Sequence, residues 1–212
     1  MSAAGSTQSF LGEHLTLFAS TEIFIFVFME IATKIETIQR VIFKEAQMRD
    51  YIAFTLLFGL FSIFGTYIGI PTSYGAISNI RDIAPVVAGL VGGPFTGFAV
   101  GLIGGSHRLI IGGDSAIACA LATILAGLLA GLVYQYRKGA LIDIIPAMIF
   151  AVAIELLHGT LALVLIQPFT EAVEIVMASI PGMIVANSLG VGISIIVIRS
   201  TKELCRGGCS EE

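Results

Sequence analysis

From residue 51 to residue 198 the chain carries only ten charged side chains in 148 positions. A soluble fold needs roughly a quarter of its residues charged to keep its surface wet. The whole chain of 212 residues reaches 12%, against 56% hydrophobic residues. Apolar runs of about 20 residues between polar breaks are what a membrane-spanning helix requires. The sequence therefore predicts an all-α polytopic membrane protein. A net charge of -4 with no basic cluster in the apolar region excludes a nucleic-acid partner and makes the lipid bilayer the chain's main surrounding.

Five long spans are expected, over about residues 15–33, 51–70, 115–134, 141–166 and 172–198, the last kinked at Pro181. Residues 1–14 hold no Lys or Arg, so they lack the positive start of a secretory signal and are read as an external segment. Residues 199–212 form a polar tail with Cys205 and Cys209, read as reduced cytoplasmic cysteines. Basic residues gather at 34–49, 137–138 and 199–206. The positive-inside rule puts those three clusters in the cytoplasm, the N-terminus outside and the C-terminus inside.

That topology requires residues 83–106 to cross an even number of times. Gly92-Gly93-Pro94 supplies the break, because Pro94 has no N–H and disfavours helix at Gly93. Two short helices, about 83–92 and 95–106, are expected to form a V whose tip points inward. Gly89, Gly93, Gly97, Gly101 and Gly105 recur at every fourth position, and Gly127 and Gly131 repeat the spacing. Such small-residue faces let helix backbones approach closely in lipid.

Two basic residues break the charge rule. Arg81 and Arg108 fall on the outer side, one on each flank of the V. Guanidinium forks match a carboxylate bidentately, so the pair could hold a small anion; the alternative is snorkelling to headgroups or pairing with Asp82 and Asp114. Asn79, His107 and Asp114 are the polar candidates beside them, and Cys119 lies about one turn below. Four further polar groups fall within spans. Glu155 and His158 share a helix face, Asn187 is placed to hydrogen-bond across helices, and Glu30 is spaced to pair with Lys34. A single Glu-x-x-His copy is half of a metal motif, so no metal and no cofactor is assigned. Soluble catalytic signatures are missing, so no enzyme activity is assigned.

Phe58-Gly-Leu-Phe-Ser-Ile-Phe-Gly-Thr-Tyr-Ile-Gly69, Asn79-Ile-Arg-Asp82, Gly92-Gly-Pro-Phe-Thr-Gly97, Gly104-Gly-Ser-His-Arg108, Gly112-Gly113 and Asn187-Ser-Leu-Gly190 together resemble the membrane domain of LytS-type sensor histidine kinases, the 5TM receptors of the LytS–YhcK type. The resemblance implies a plasma-membrane receptor of a bacterium or archaeon, with residues 15–198 as one sensor domain that signals through its C-terminal helix. It implies a small external carboxylate as ligand, a cytoplasmic signalling module or kinase as partner, and a second copy of the chain as a further one. Pyruvate-sensing relatives use two arginines, a cysteine and a serine in this region. The arginines match Arg81 and Arg108 and the cysteine matches Cys119, while the serine position holds Ala122, so a pyruvate-like carboxylate is expected rather than pyruvate in particular. The V also resembles the substrate-binding components of energy-coupling-factor vitamin transporters, here with an extra N-terminal helix. That makes a solute-transporter subunit the alternative function. In the sensor reading, segment 71–82 forms a lid over the site.

Overall fold

The computed structural model describes the backbone of residues 3–68, 70–71 and 77–208, and side chains within 18–68 and 79–205. Among these residues the chain is helical: α1 Ala3–Ala32, α2 Glu36–Phe43, α3 Met48–Tyr67, α4 Ile83–Gly92, α5 Pro94–Ile111, α6 Ala116–Tyr136, α7 Ile144–Leu165 and α8 Phe169–Gly208. Helices α3, α6, α7 and α8 are long and apolar enough to cross a membrane. Large apolar side chains such as Ile23, Leu60, Ile110, Ile145 and Met177 face outward, as a lipid-facing surface requires.

The V is present, with a correction to its second arm. Gly93 turns the chain at φ 87°, a conformation that favours glycine, and Pro94 opens α5 where its missing N–H costs nothing. The first arm spans 83–92 as expected. The second runs on to Ile111 and not to about 106, because His107 and Arg108 turn polar side chains toward α3 and α6 instead of ending the helix. A second correction concerns the loop before the V, which holds a two-residue antiparallel ladder pairing Ile70 with Ser78 and Pro71 with Ile77. Residues 72–76 of the expected lid lie outside the described residues.

The basic stretch 34–49 also contains a helix. In α2, Ile38, Val41 and Ile42 point into the bundle while Glu36 stays outside. Its Arg40 reaches the buried Asp50 carboxylate at 3.6 Å, and Asp50 also accepts from the Gln47 N–H at 2.8 Å as half of the capping box of α3. Helix α8 continues through Pro181 and past residue 198 to Gly208, so the expected tail begins as helix. Cys205 is exposed on it, and Cys209 lies outside the described residues.

Helix α4 is the centre of the core. Every residue from Ile83 to Val91 is buried, against α5, α6, α3 and α8. The closest backbone approach is between α5 and α6. A methyl group added at Gly127 would lie 2.0 Å from the Gly97 carbonyl oxygen, and one at Gly131 2.2 Å from Pro94 Cα. On the opposite flank Phe28 stacks on Phe61 with ring centroids 4.1 Å apart, joining α1 to α3.

Candidate functional site

Helix α6 presents Ser115, Cys119 and Thr123, four residues apart, along one face from its N-cap inward. Arg81, just before α4, donates from Nε to Thr123 Oγ1 at 2.8 Å. Arg108, in the last turn of α5, donates from Nη2 to Ser115 Oγ at 2.9 Å and from Nη1 to the Gly112 carbonyl. Both arginines are 0% exposed. Cys119 is buried between the two anchor points, within electrostatic reach of both guanidinium groups. At 1.5 Å rise per residue the two anchors stand about 12 Å apart along α6, so the guanidinium groups flank the Cys119 level from either side.

The two arginines differ in their partners. Arg81 Nε lies 3.6 Å from Asp82 Oδ1, and Thr123 donates to the same oxygen at 2.6 Å. Asp82 Oδ2 lies 3.1 Å from His158 Nδ1, and Glu155 Oε2 is 3.7 Å from that nitrogen. Asn187 of α8 donates to Glu155 Oε1 at 2.8 Å and to the Asn79 carbonyl at 3.2 Å. A continuous polar chain thus runs from Arg81 through Asp82, His158 and Glu155 to α8. Arg108 has no carboxylate partner among the described residues. Among the described residues three polar positions of the arginines have no hydrogen-bond partner: Arg81 Nη1 and Nη2, and Arg108 Nε.

The expected residues divide accordingly. Arg81, Arg108, Cys119, Asn79, Glu155, His158 and Asn187 come together in this buried region. His107 does not; its Nε2 lies 3.2 Å from the Tyr67 hydroxyl, between α5 and α3. Asp114 is exposed, turned outward after α5 ends at Ile111. Glu30 stands apart at the other end of the bundle, 3.9 Å from Lys34. Asp82 was foreseen only as an alternative partner for an arginine, and Thr123 and Ser115 were not foreseen. The fourfold spacing 115, 119, 123 was the signal that could have marked the last two as one face.

Asp82, Glu155 and His158 offer donor atoms within 4.8 Å of one another, a set that could ligate a divalent cation. Arg81, at 3.6 Å from Asp82, already supplies positive charge at that point, so we read the group as an ion-pair network. Breaking a buried pair costs about 3–5 kcal/mol because the remaining charge is left uncompensated. Asp82→Ala is expected to lower stability by about that amount, read as a fall in the thermal unfolding temperature of purified protein. A variant as stable as wild type would contradict the network.

Beside Cys119 lies a cavity of about 20 Å³, walled by Ser115, His158 and, on α8, Ile175, Ser179 and Met183. That volume admits about one water.

A buried polar network inside a helical membrane bundle thus reaches α8, the helix that runs on past the spans, and comparison with known proteins supplies the class, a membrane sensor domain of LytS-type histidine kinases. A family model described as 5TMR of 5TMR-LYT matches residues 35–201. The chain belongs to this family of LytS-type five-span membrane receptors. It is 35% identical over 140 residues to sensor histidine kinase BtsS of Escherichia coli K12, covering 64% of this chain and 25% of the relative. It is 35% identical over 162 residues to sensor protein LytS of Bacillus subtilis, covering 68% and 27%. To LytS of Bacillus anthracis it is 29% identical over 182 residues, covering 78% and 31%. The chain thus spans between a quarter and a third of the length of these relatives. No solved structure matches it.

Proposed function

We propose that this membrane domain binds a small carboxylate between Arg81 and Arg108 and signals its presence through α8 to a cytoplasmic module. The observation that carries this reading is Arg108: a fully buried guanidinium with no carboxylate partner among the described residues and with Nε unsatisfied. A charge inside a bilayer costs several kcal/mol unless it is paired. A carboxylate that accepts from Arg108 Nε and from Arg81 Nη1 or Nη2 would satisfy both groups and supply the missing negative charge. The basic clusters favour the N-terminus and the Arg108 end outside and the C-terminus inside.

The small cavity bears on how such a ligand would act. A three-carbon acid does not fit in room for one water. Its entry beside Cys119 must push back the Ile175–Met183 stretch of α8 or draw α8 along through Asn187. Either displacement is carried by one continuous helix to Arg199, which pairs with Asp143 of α7. Ligand then shifts the balance between two packings of α8, provided it binds them unequally.

A thermal-unfolding screen of purified protein with small mono- and dicarboxylates tests the reading. A ligand at 100 times its Kd stabilises by about 2.7 kcal/mol, so at least one small carboxylate should raise the unfolding temperature clearly. If none does at millimolar concentration, the carboxylate reading fails.

A further inference from the structure

At the end of the bundle that holds the tip of the V, a surface groove of about 450 Å³ is lined by Lys44, Pro94, Phe95, Tyr134, Lys138 and Gly139. We propose that this groove is a binding site for the phosphate headgroup of an anionic phospholipid. The geometry converges on Gly139. A methyl group there would lie 2.8 Å from Lys44 Nζ and 3.0 Å from the Tyr134 hydroxyl, so the absence of a side chain lets an ammonium and a phenol pack side by side against Gly139 at the groove. Lys138 is the neighbouring residue, and it is exposed.

Several basic residues at the same end are already paired, whereas Arg49 and Arg137 share with these lysines the lack of an acidic partner among the described residues. Lys34 pairs with Glu30, Arg40 with Glu36 and Asp50, and Arg199 with Asp143. Lys44 and Lys138 have no acidic partner among the described residues. Both also sit at positive φ, 66° and 53°, where a lysine is disfavoured and a glycine or asparagine would be easier. Two unpaired ammonium groups and a hydroxyl donor suit a phosphodiester, which offers acceptors and one negative charge.

The surroundings favour a lipid over a soluble anion. Phe95 on the rim is 90% exposed, and so is Tyr136, two residues before Lys138, which places aromatic side chains at the level where headgroups meet acyl chains. Tyr136 itself borders a separate apolar groove of about 390 Å³ between α6 and α7, lined by Leu132, Leu129 and Phe150, which offers a track for one chain. Phe95, Phe98 and Leu102 offer another along α5.

The test is titration of the full chain, purified in a neutral detergent, with phosphatidylglycerol, with phosphatidylcholine of the same chains, and with glycerol phosphate, read by native mass spectrometry. The proposal expects phosphatidylglycerol to bind and the other two to bind at least tenfold more weakly. Each lysine near a charged membrane surface is worth a factor of about five, so Lys44→Gln/Lys138→Gln should weaken phosphatidylglycerol about 30-fold. Tyr134→Phe, which removes only the hydroxyl, should weaken it severalfold, and Lys34→Gln should match wild type. Equal binding of the zwitterionic lipid, or wild-type affinity in the double lysine variant, would overturn the site. Glycerol phosphate binding as tightly as the lipid would make it a soluble-anion site and overturn it as well. If the double variant does not fold, the Lys138→Gln and Tyr134→Phe variants decide between the same outcomes.

Discussion

Arg108→Gln is expected to weaken binding of any stabilising carboxylate about 10- to 100-fold, without lowering the stability of the ligand-free protein. The two halves of this expectation come from different neighbours. A charge-assisted hydrogen bond contributes roughly 1.5–3 kcal/mol, and losing the one from Arg108 Nε corresponds to about one to two decades of affinity. In the ligand-free protein the hydrogen-bond partners of Arg108 among the described residues are neutral oxygens, the Gly112 carbonyl and Ser115 Oγ. Its removal strands no carboxylate and relieves a buried charge, so the unfolding temperature should stay level or rise. Arg81→Gln behaves differently. Arg81 lies against Asp82, so the same substitution there should lose binding and stability together. Calorimetric titration and thermal unfolding of the two variants check the contrast. Full binding by Arg108→Gln would remove this residue from the site.

Gly127→Leu is expected to abolish the folded protein. The contact it breaks is backbone on backbone: the first carbon of any side chain at 127 would meet the Gly97 carbonyl at 2.0 Å, the carbonyl carbon at 2.5 Å and Pro85 Cβ at 3.0 Å. No rotamer escapes a clash at Cβ, and α5 cannot retreat without opening the core around α4. Lipid supplies no hydrophobic force to hold the helices together once close packing is lost. Gly159→Ala is the comparison. Its added carbon meets only the Ile180 side chain, at 3.2 Å, which can adjust. The expected result is no monodisperse peak on size-exclusion chromatography for Gly127→Leu and a near-wild-type peak for Gly159→Ala. A monodisperse Gly127→Leu protein with the wild-type unfolding temperature would contradict the packing.

The bundle was legible in the sequence because lipid imposes its demands on composition and spacing. The long charge-poor runs gave four of the five expected spans, α3, α6, α7 and α8, and Gly92-Gly93-Pro94 gave the V. The arm after the break was misjudged because Ser106-His107-Arg108 looks like a helix end in one dimension. In three dimensions those polar groups find partners on α3 and α6, and the helix continues to Ile111. Helix α2 was hidden by its charges, although Ile38, Val41 and Ile42 have helical spacing. The arginines were conspicuous as cations in an apolar stretch. Their partners were not, since Thr123 lies 42 residues from Arg81 and His158 lies 76 from Asp82, and nothing local links them. Asp114 misled for the opposite reason: nearness along the chain to Arg108 suggested a pairing that the turn at Gly112-Gly113 prevents.

The central claim is that a carboxylate completes two buried arginines on either side of Cys119. A structure of the protein with a stabilising carboxylate bound measures this directly. The account predicts carboxylate oxygens within hydrogen-bond distance of Arg108 Nε and of Arg81 Nη1 or Nη2, with the Ile175–Met183 stretch of α8 displaced from its packing against Cys119. A ligand found elsewhere, with both guanidinium groups and α8 as they are here, would contradict it.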